Sequence, residues 1–252
     1  MTRVLVIGIG TGNPEHLTLE AIRALNEVDV FLVADKGPET ADLVMLRQEI
    51  CRTHIRSGQY RVVEVADPSR GPDRGRDAGA YREAVDGWHR RRAEHYASVV
   101  AREVAPGGTV GFLVWGDPAF YDSTIRIVEL VRESGTELEL TVIPGISSLQ
   151  VLAARHRIVL NRVGQPIHVT TGRRLLAEYD PTLGDVAVML DADLTCAGLR
   201  DTHPGLQIYW AAQLGLADEA LAAGALCDVV DDIRATRKTD FVNNLWRSLG
   251  KR

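Results

Sequence analysis

The sequence predicts an α/β protein of two domains, and three observations carry that prediction. Short apolar runs alternate with helix-period segments over residues 3–143, loops of glycine and proline follow three of those runs, and the alternation restarts after Gly145. The boundary falls where five strands have accumulated, giving domains 1–144 and 145–252.

Residues 3–9 read as a strand buried on both faces that feeds into Gly8-Ile9-Gly10-Thr11-Gly12-Asn13-Pro14. Leu17, Ala21, Ile22 and Leu25 recur at near-helical spacing, which predicts a helix over 14–27 with Pro14 near its start. Residues 30–33 form the next buried strand and end in Ala34-Asp35-Lys36-Gly37-Pro38. This β-α-β order implies a parallel sheet with a right-handed crossover. A helix over 40–54 and a strand over 61–65 follow. Residues 67–79, rich in Arg, Asp, Gly and Pro, are expected as a long exposed loop. A helix over 80–104 takes its apolar face from Val85, Trp88, Tyr96, Val99, Val100 and Val104. The apolar run 110–114 then meets Trp115-Gly116-Asp117-Pro118-Ala119-Phe120-Tyr121-Asp122-Ser123-Thr124. Such a loop, between a parallel strand and a helix, opens at the sheet edge where α/β proteins bind ligands.

A helix to about residue 134 and a strand over 138–143 lead to Pro144-Gly145-Ile146-Ser147-Ser148. Beyond it, strands are expected at 167–171, 186–190 and 206–212, and short helices near 173–179, 194–200 and 216–222. Residues 241–249 fit a strand, a helix, or both in succession.

With 252 residues, 45% hydrophobic and 25% charged, the chain can bury a sizeable core, and a net charge of -5 with a pI near 5.8 argues against general nucleic-acid binding. Cys51, Cys196 and Cys227 form no C-x-x-C pair, and the seven histidines form no H-x-x-x-H pair, so no metal site is expected. The first apolar run is too short for a signal-peptide core and no 18 apolar residues occur in a row, which leads to the expectation of a cytoplasmic protein away from membranes.

Arg70, Arg74, Arg76, Arg82, Arg90, Arg91 and Arg92 make 70–92 the most arginine-dense stretch. A solvated face balanced by Asp73, Asp77, Glu83 and Asp86 fits this density, and so does a clamp for a substrate with several carboxylates. The first glycine loop departs from the dinucleotide fingerprint, because position 13 is Asn and Pro14 removes an N–H that a pyrophosphate would use. Asp117 fits either a ligand contact or a cap for the following helix, and Ser147 and Ser148 are equally suited to capping.

Taken together, the 8–14, 116–118 and 144–148 motifs occur in the order and spacing of the tetrapyrrole methylases, the class III S-adenosylmethionine-dependent methyltransferases. The chain resembles that family over nearly its full length. His16-Leu17-Thr18, Ala34-Asp35-Lys36-Gly37, Tyr81 through Trp88-His89, and Trp115 through Thr124 add a likeness to members that act on precorrin-5. The resemblance implies two α/β domains, the first with a parallel and the second with a mixed sheet, and S-adenosyl-L-methionine in a cleft between them. It also implies a homodimer. Cofactor contacts carry over to Pro14, Gly116, Asp117, Phe120, Ser147 and Ser148, and through weaker motifs to Met189 and Ala212. The implied reaction methylates C1 of precorrin-5 and releases its acetyl group as acetate. The alternatives are a relative with a different substrate and a non-catalytic nucleotide-binding module. For the deacetylation, Asp35 is the candidate base, and Lys36 and Tyr121 are candidates for polarising the acetyl carbonyl. The competing reading makes Asp35 and Lys36 turn residues and Tyr121 a packing group for the cofactor.

Overall fold

The computed structural model describes residues 1–35, 41–69, 71, 77–236 and 242–248. The chain divides into two compact units, one of Met1–Gly10 with Pro14–Ile146 and one of Thr11–Asn13 with Ser147–Arg252.

The first unit is a five-stranded parallel sheet in the order β3-β2-β4-β1-β5, built from β1 (Thr2–Gly8), β2 (Val30–Asp35), β3 (Arg61–Ala66), β4 (Thr109–Val114) and β5 (Leu138–Ile143). Its strands alternate sides. Val4, Val6, Val110, Phe112 and Val114 pack with α3 (Ala78–Glu103) and α4 (Thr124–Glu133). Leu5, Ile7, Phe31 and Leu113 pack with α1 (Leu19–Leu25) and α2 (Ala41–His54). Both faces are therefore covered at the centre of the sheet, which is why β1, β2 and β4 read as continuous apolar runs rather than alternating ones. From β1 the chain runs toward β2, and from the adjacent β4 it runs the opposite way to β5. The C-terminal ends of β1 and β4 thus form the switch point of the sheet, where open α/β folds place their ligands.

Three strand-end loops meet there. Gly10 and Gly116 form an isolated antiparallel bridge, with Gly116 N–H donating to Gly10 O at 2.7 Å and Gly10 N–H to Gly116 O at 3.2 Å. A Cβ at Gly8 would lie 2.6 Å from the Gly145 nitrogen, and one at Gly145 would overlap the Gly116 carbonyl oxygen. Gly10 and Gly116 also hold positive φ, at 73° and 63°. Only glycine permits this approach of three backbones.

The second unit carries a mixed sheet in the order β6-β7-β10-β8-β9, from β6 (Ile167–Thr171), β7 (Asp185–Met189), β8 (Leu206–Ala212), β9 (Ala220–Ala225) and β10 (Val242–Ser248). Only β6 and β7 are parallel; β10 lies antiparallel to both β7 and β8. Helices α5 (Ser148–His156), α6 (Gly172–Glu178) and α7 (Leu226–Thr236) complete the unit, and Trp210, Ile208, Val188, Leu226 and Val230 lie at its core.

Two sequence expectations are corrected. The helix expected over 14–27 is a 3-10 turn at Pro14–His16 followed by α1, because Thr18 Oγ1 accepts from Ala21 N–H and starts the helix there. The helix expected near 216–222 gives way to β9, an alanine-rich edge strand for which pairing with β8 overrides local propensity. The segment 241–249 resolves as a strand over Val242–Ser248. Cys51 and Cys196 are buried and Cys227 is half-buried, with burial pushing the Cys51 thiol up to about 12. No helix among the described residues is long and apolar enough to cross a membrane.

Two glycine substitutions should move stability in opposite directions. Gly145→Ala forces a methyl into the Gly116 carbonyl and should lower unfolding free energy by about 1–3 kcal/mol or more. Gly87→Ala, in the interior of α3 where the nearest atom to a new Cβ is an Arg91 side-chain nitrogen at 3.5 Å, should raise it by roughly 0.5–1 kcal/mol. Urea titrations of the two variants check both signs.

Candidate active site

The loop from Trp115 to Ser123 is fixed at its first half and exposed at its second. Asp117 does the fixing: its Oδ1 accepts from Ala119 N–H at 2.8 Å and its Oδ2 from Gly145 N–H at 2.9 Å. One carboxylate therefore shapes the loop after β4 and fastens it to the loop after β5. This corrects the helix-cap reading of Asp117, since α4 begins at Thr124 with Ser123 in the cap position. Asp122 Oδ1 accepts from Thr124 N–H at 2.6 Å, so the neighbouring carboxylate serves that helix end instead.

Beyond Asp117 the chain turns outward. Phe120 is 38% exposed and Tyr121 48%, the latter at φ 51°. A non-glycine residue at positive φ carries strain of order 1–3 kcal/mol, which the surrounding contacts must sustain.

Polar groups brace the loop from both faces of the sheet. On the α2 side, the Arg47 guanidinium lies 5.1 Å from the Trp115 ring centroid and its Nε donates to Leu113 O at 3.4 Å. Burial lowers its pKa, while the Asp122 charge acts in the opposite direction. On the α3 side, His89 is buried and its Nε2 lies 2.9 Å from Ser123 Oγ. Arg92, one turn along, is buried between the Trp88 and Tyr96 rings at 4.6 and 5.4 Å, donates to Tyr96 OH, and places Nε 3.1 Å from Asp67 Oδ1.

These contacts sort the predicted arginines. Arg92 is a structural ion pair under aromatic cover, so it leaves the substrate-clamp set. Arg91 donates to Ser69 O at 3.2 Å, and Arg90 is exposed. Arg70, Arg74 and Arg76 lie outside the described residues, as does Lys36. Asp35 ends β2, at the same C-terminal edge of the sheet as the glycine loops, with its side chain outside the description. Pro14 opens the 3-10 turn that follows the first glycine loop.

In the second unit, Ser147 is the N-cap of α5 in a capping box, accepting from Gln150 N–H while Gln150 Oε1 accepts from Ser147 N–H at 2.8 Å; Ser148 is the first helical residue. Met189 and Ala212 are buried at the ends of β7 and β8. Each is followed by a residue at positive φ, Leu190 at 56° and Gln213 at 51°. Gln213 Oε1 is buried without a hydrogen-bond partner among the described residues. Thr11 and Asn13 lie against Gly215, where a Cβ would come within 2.8 Å of Thr11 Oγ1. No group of three His, Cys, Asp or Glu residues that could hold a metal ion occurs among the described residues.

Arg47, His89 and Ser123 are site residues to which the sequence reading gave no role, although His89 and Ser123 lie in stretches that carry the family likeness. Position offered the signal: His89, Arg92, Ala93, Tyr96, Val99 and Val100 are the buried stripe of α3 at helical spacing, with two polar members that a search for apolar residues passes over.

The family model for tetrapyrrole (corrin/porphyrin) methylases matches residues 3–229. A precorrin-6A synthase [deacetylating] of Sinorhizobium sp is 44% identical over 248 residues, covering 98% of this chain and 92% of that protein. The crystal structure of a cobalamin synthesis related protein, CobF, from Corynebacterium diphtheriae aligns with a TM-score of 0.80 at 34% identity, covering 99% of this chain and all of that one. Uroporphyrin-III C-methyltransferase of Thermus thermophilus, solved with S-adenosyl homocysteine, shares the fold at a TM-score of 0.60 and 18% identity, covering 97% of each chain.

The role of Asp117 is testable without any ligand. Asp117→Asn keeps one acceptor and presents a donor where the other carboxylate oxygen stood, so Ala119 N–H or Gly145 N–H faces a donor. Unfolding free energy should fall by about 1–3 kcal/mol, read by chemical denaturation.

Proposed function

We propose, on the premise that the chain belongs to the tetrapyrrole (corrin/porphyrin) methylase family, that it is an S-adenosylmethionine-dependent C-methyltransferase of cobalamin biosynthesis. Its substrate in this reading is precorrin-5, which loses its acetyl group as acetate, consumes water and gains a methyl group at C1 to give precorrin-6A. The observation that carries the reading is the 44% identity, sustained over 98% of the chain, to a precorrin-6A synthase [deacetylating].

The geometry supports it. A nucleoside and an amino acid need backbone donors and acceptors at close range, and the glycine junction at the β1 and β4 ends offers bare backbone held in one conformation. The residues proposed for cofactor contact are Pro14, Gly116, Asp117, Phe120, Ser147, Ser148, Met189 and Ala212. Since both Asp117 oxygens already accept backbone N–H groups, the residue's part is to hold Gly116 and Gly145 in place, with spare lone pairs left for a ligand amino group. S-adenosyl-L-methionine supplies an electrophilic methyl group, so methyl transfer asks the protein chiefly for alignment.

Deacetylation asks more. Asp35 is the candidate for orienting or deprotonating the hydrolytic water, with Lys36 and Tyr121 hydrogen-bonding the oxyanion that forms on the acetyl carbonyl. The exposed Tyr121 ring on the loop rim suits that contact. Arg90 and Arg91, together with Arg70, Arg74 and Arg76, are the candidates for binding the acetate and propionate groups of the macrocycle. The enzyme works in the cytoplasm as a homodimer, without nucleic-acid or membrane partners.

Two outcomes check this function. Calorimetry should detect S-adenosylmethionine binding that Gly116→Val abolishes; because Gly116 sits at φ 63° with its carbonyl against Gly8 and Gly145, the same variant should also melt earlier, so substitution there does not spare the fold. Absence of binding to the parent protein at millimolar ligand overturns the reading. Replacing Arg70, Arg74, Arg76, Arg90 and Arg91 by alanine in combination should raise KM for precorrin-5 and weaken its salt dependence, because screened ion pairs are what is removed. An unchanged KM returns those residues to a solvated face.

A further inference from the structure

Ser123 occupies the cap position of α4, yet its hydroxyl makes no cap bond. Serine at that position ordinarily accepts an N–H of the first turn. Here Asp122 has taken Thr124 N–H, and the Ser123 hydroxyl is turned instead to His89 Nε2 at 2.9 Å. His89 is 5% exposed, on a helix whose buried stripe is otherwise spent on packing and on the Arg92–Asp67 pair. Ser123 itself is half-buried, two residues from the exposed Tyr121 and seven from Gly116. A buried imidazole bonded to a hydroxyl on a ligand-facing loop is the arrangement that turns a weak nucleophile into a strong one.

We propose that Ser123 is the nucleophile that accepts the acetyl group, with His89 as its base. This rests on the reaction proposed above and adds a covalent step to it. Ser123 Oγ bonds to the acetyl carbonyl carbon while His89 Nε2 takes the hydroxyl proton. The tetrahedral adduct collapses with cleavage of the bond from that carbon to C1, leaving the acetyl group on Ser123 and the electron pair on the macrocycle. That pair forms the new bond from C1 to the methyl group. His89 passes its proton to solvent, then takes one from a water that attacks the acetyl ester. It returns that proton to Ser123 Oγ as acetate leaves. The N–H groups of Ile125 and Arg126, which no helix carbonyl can satisfy, lie in the first turn beside Ser123, and with Tyr121 OH they are the donors for the oxyanion. Asp35 then belongs to the water step, and the order is fixed: the carbon–carbon bond breaks before the methyl bond forms.

The test is a single-turnover reaction of the full-length protein with precorrin-5 and S-adenosylmethionine, quenched in acid and analysed by peptide mass spectrometry. One acetyl group is expected on the Ser123 peptide of the parent protein. Ser123→Ala should lose the adduct, and both Ser123→Ala and His89→Gln should release acetate slower by roughly two to four powers of ten. Should Ser123→Ala melt early, S123C serves in its place, and the acetyl group must then be found as a hydroxylamine-labile thioester. Parental acetate release from Ser123→Ala, or a parent protein that turns over with no adduct at any quench time, overturns the covalent step and leaves direct attack by water. A parent protein that binds S-adenosylmethionine but releases no acetate from precorrin-5 overturns the proposed reaction, and this inference with it.

Discussion

At the strand ends of the first unit, main chain packs against main chain. Gly8, Gly116 and Gly145 come from the ends of three different strands, and a single added Cβ at Gly8 or Gly145 would collide with the backbone of another loop. The Gly10–Gly116 bridge and the Asp117 carboxylate bond the same three loops to one another. A junction of this kind converts the order of the strands into the shape of a site. Because β1 and β4 are neighbours whose chains depart in opposite directions, their loops would otherwise part and leave an open crevice. The glycine bridge draws them together and leaves their remaining backbone groups held in one arrangement. Three glycines ordered at once cost conformational entropy, and the hydrogen bonds and the apolar layers on the two faces of the sheet offset it.

The junction in turn depends on what braces it. Trp115 and Ser123, the two ends of the loop after β4, are each held by a side chain from a different layer: Arg47 from α2 stacks on the indole, and His89 from α3 bonds the hydroxyl. Burying such groups costs several kcal/mol unless they are paired, so their presence next to a ligand-facing loop is the more informative for being expensive. Arg92 shows the bland version of the same device, since its aromatic cover, its hydrogen bond to Tyr96 OH and its ion pair with Asp67 give it a structural role. Ser123 differs because the simpler structural use for it, accepting an N–H of the first turn of α4, is left unmade while its hydroxyl turns to His89.

What the sequence made legible follows from where periodicity exists. The centre of the first sheet was readable strand by strand because both of its faces are covered there, so β1, β2 and β4 are apolar runs. The three glycine loops were visible because close backbone approach admits no other residue. The second unit was harder: β9 is Ala220-Leu221-Ala222-Ala223-Gly224-Ala225, a composition that favours helix until β8 supplies the pairing, and β10 enters the centre of its sheet from the far end of the chain. Asp117 could be recognised as a loop acid, but whether it capped a helix or tied two loops depended on Gly145 being 28 residues away in sequence and 2.9 Å away in space. His89 was hidden by its own chemistry, because a polar residue in a buried helical stripe interrupts the apolar pattern by which such stripes are found.

The division of labour within the loop of 115–124 explains why one segment can serve two reactions. Its first half is immobilised as backbone: Gly116 is bridged, and both Asp117 oxygens are engaged. That half suits a cofactor recognised through main-chain atoms, for which any side chain would be an obstruction. Its second half presents side chains, with Phe120 and Tyr121 exposed and Ser123 backed by a buried imidazole. Methyl transfer needs position and little else, whereas breaking a carbon–carbon bond needs a nucleophile, a proton acceptor and donors for an oxyanion. In the proposed reading, carrying both on one loop keeps the Ser123 hydroxyl at a short, fixed distance along the chain from the groups proposed to hold the methyl donor. The carbanion released by the first event is then formed next to the electrophile that consumes it, before water can protonate it.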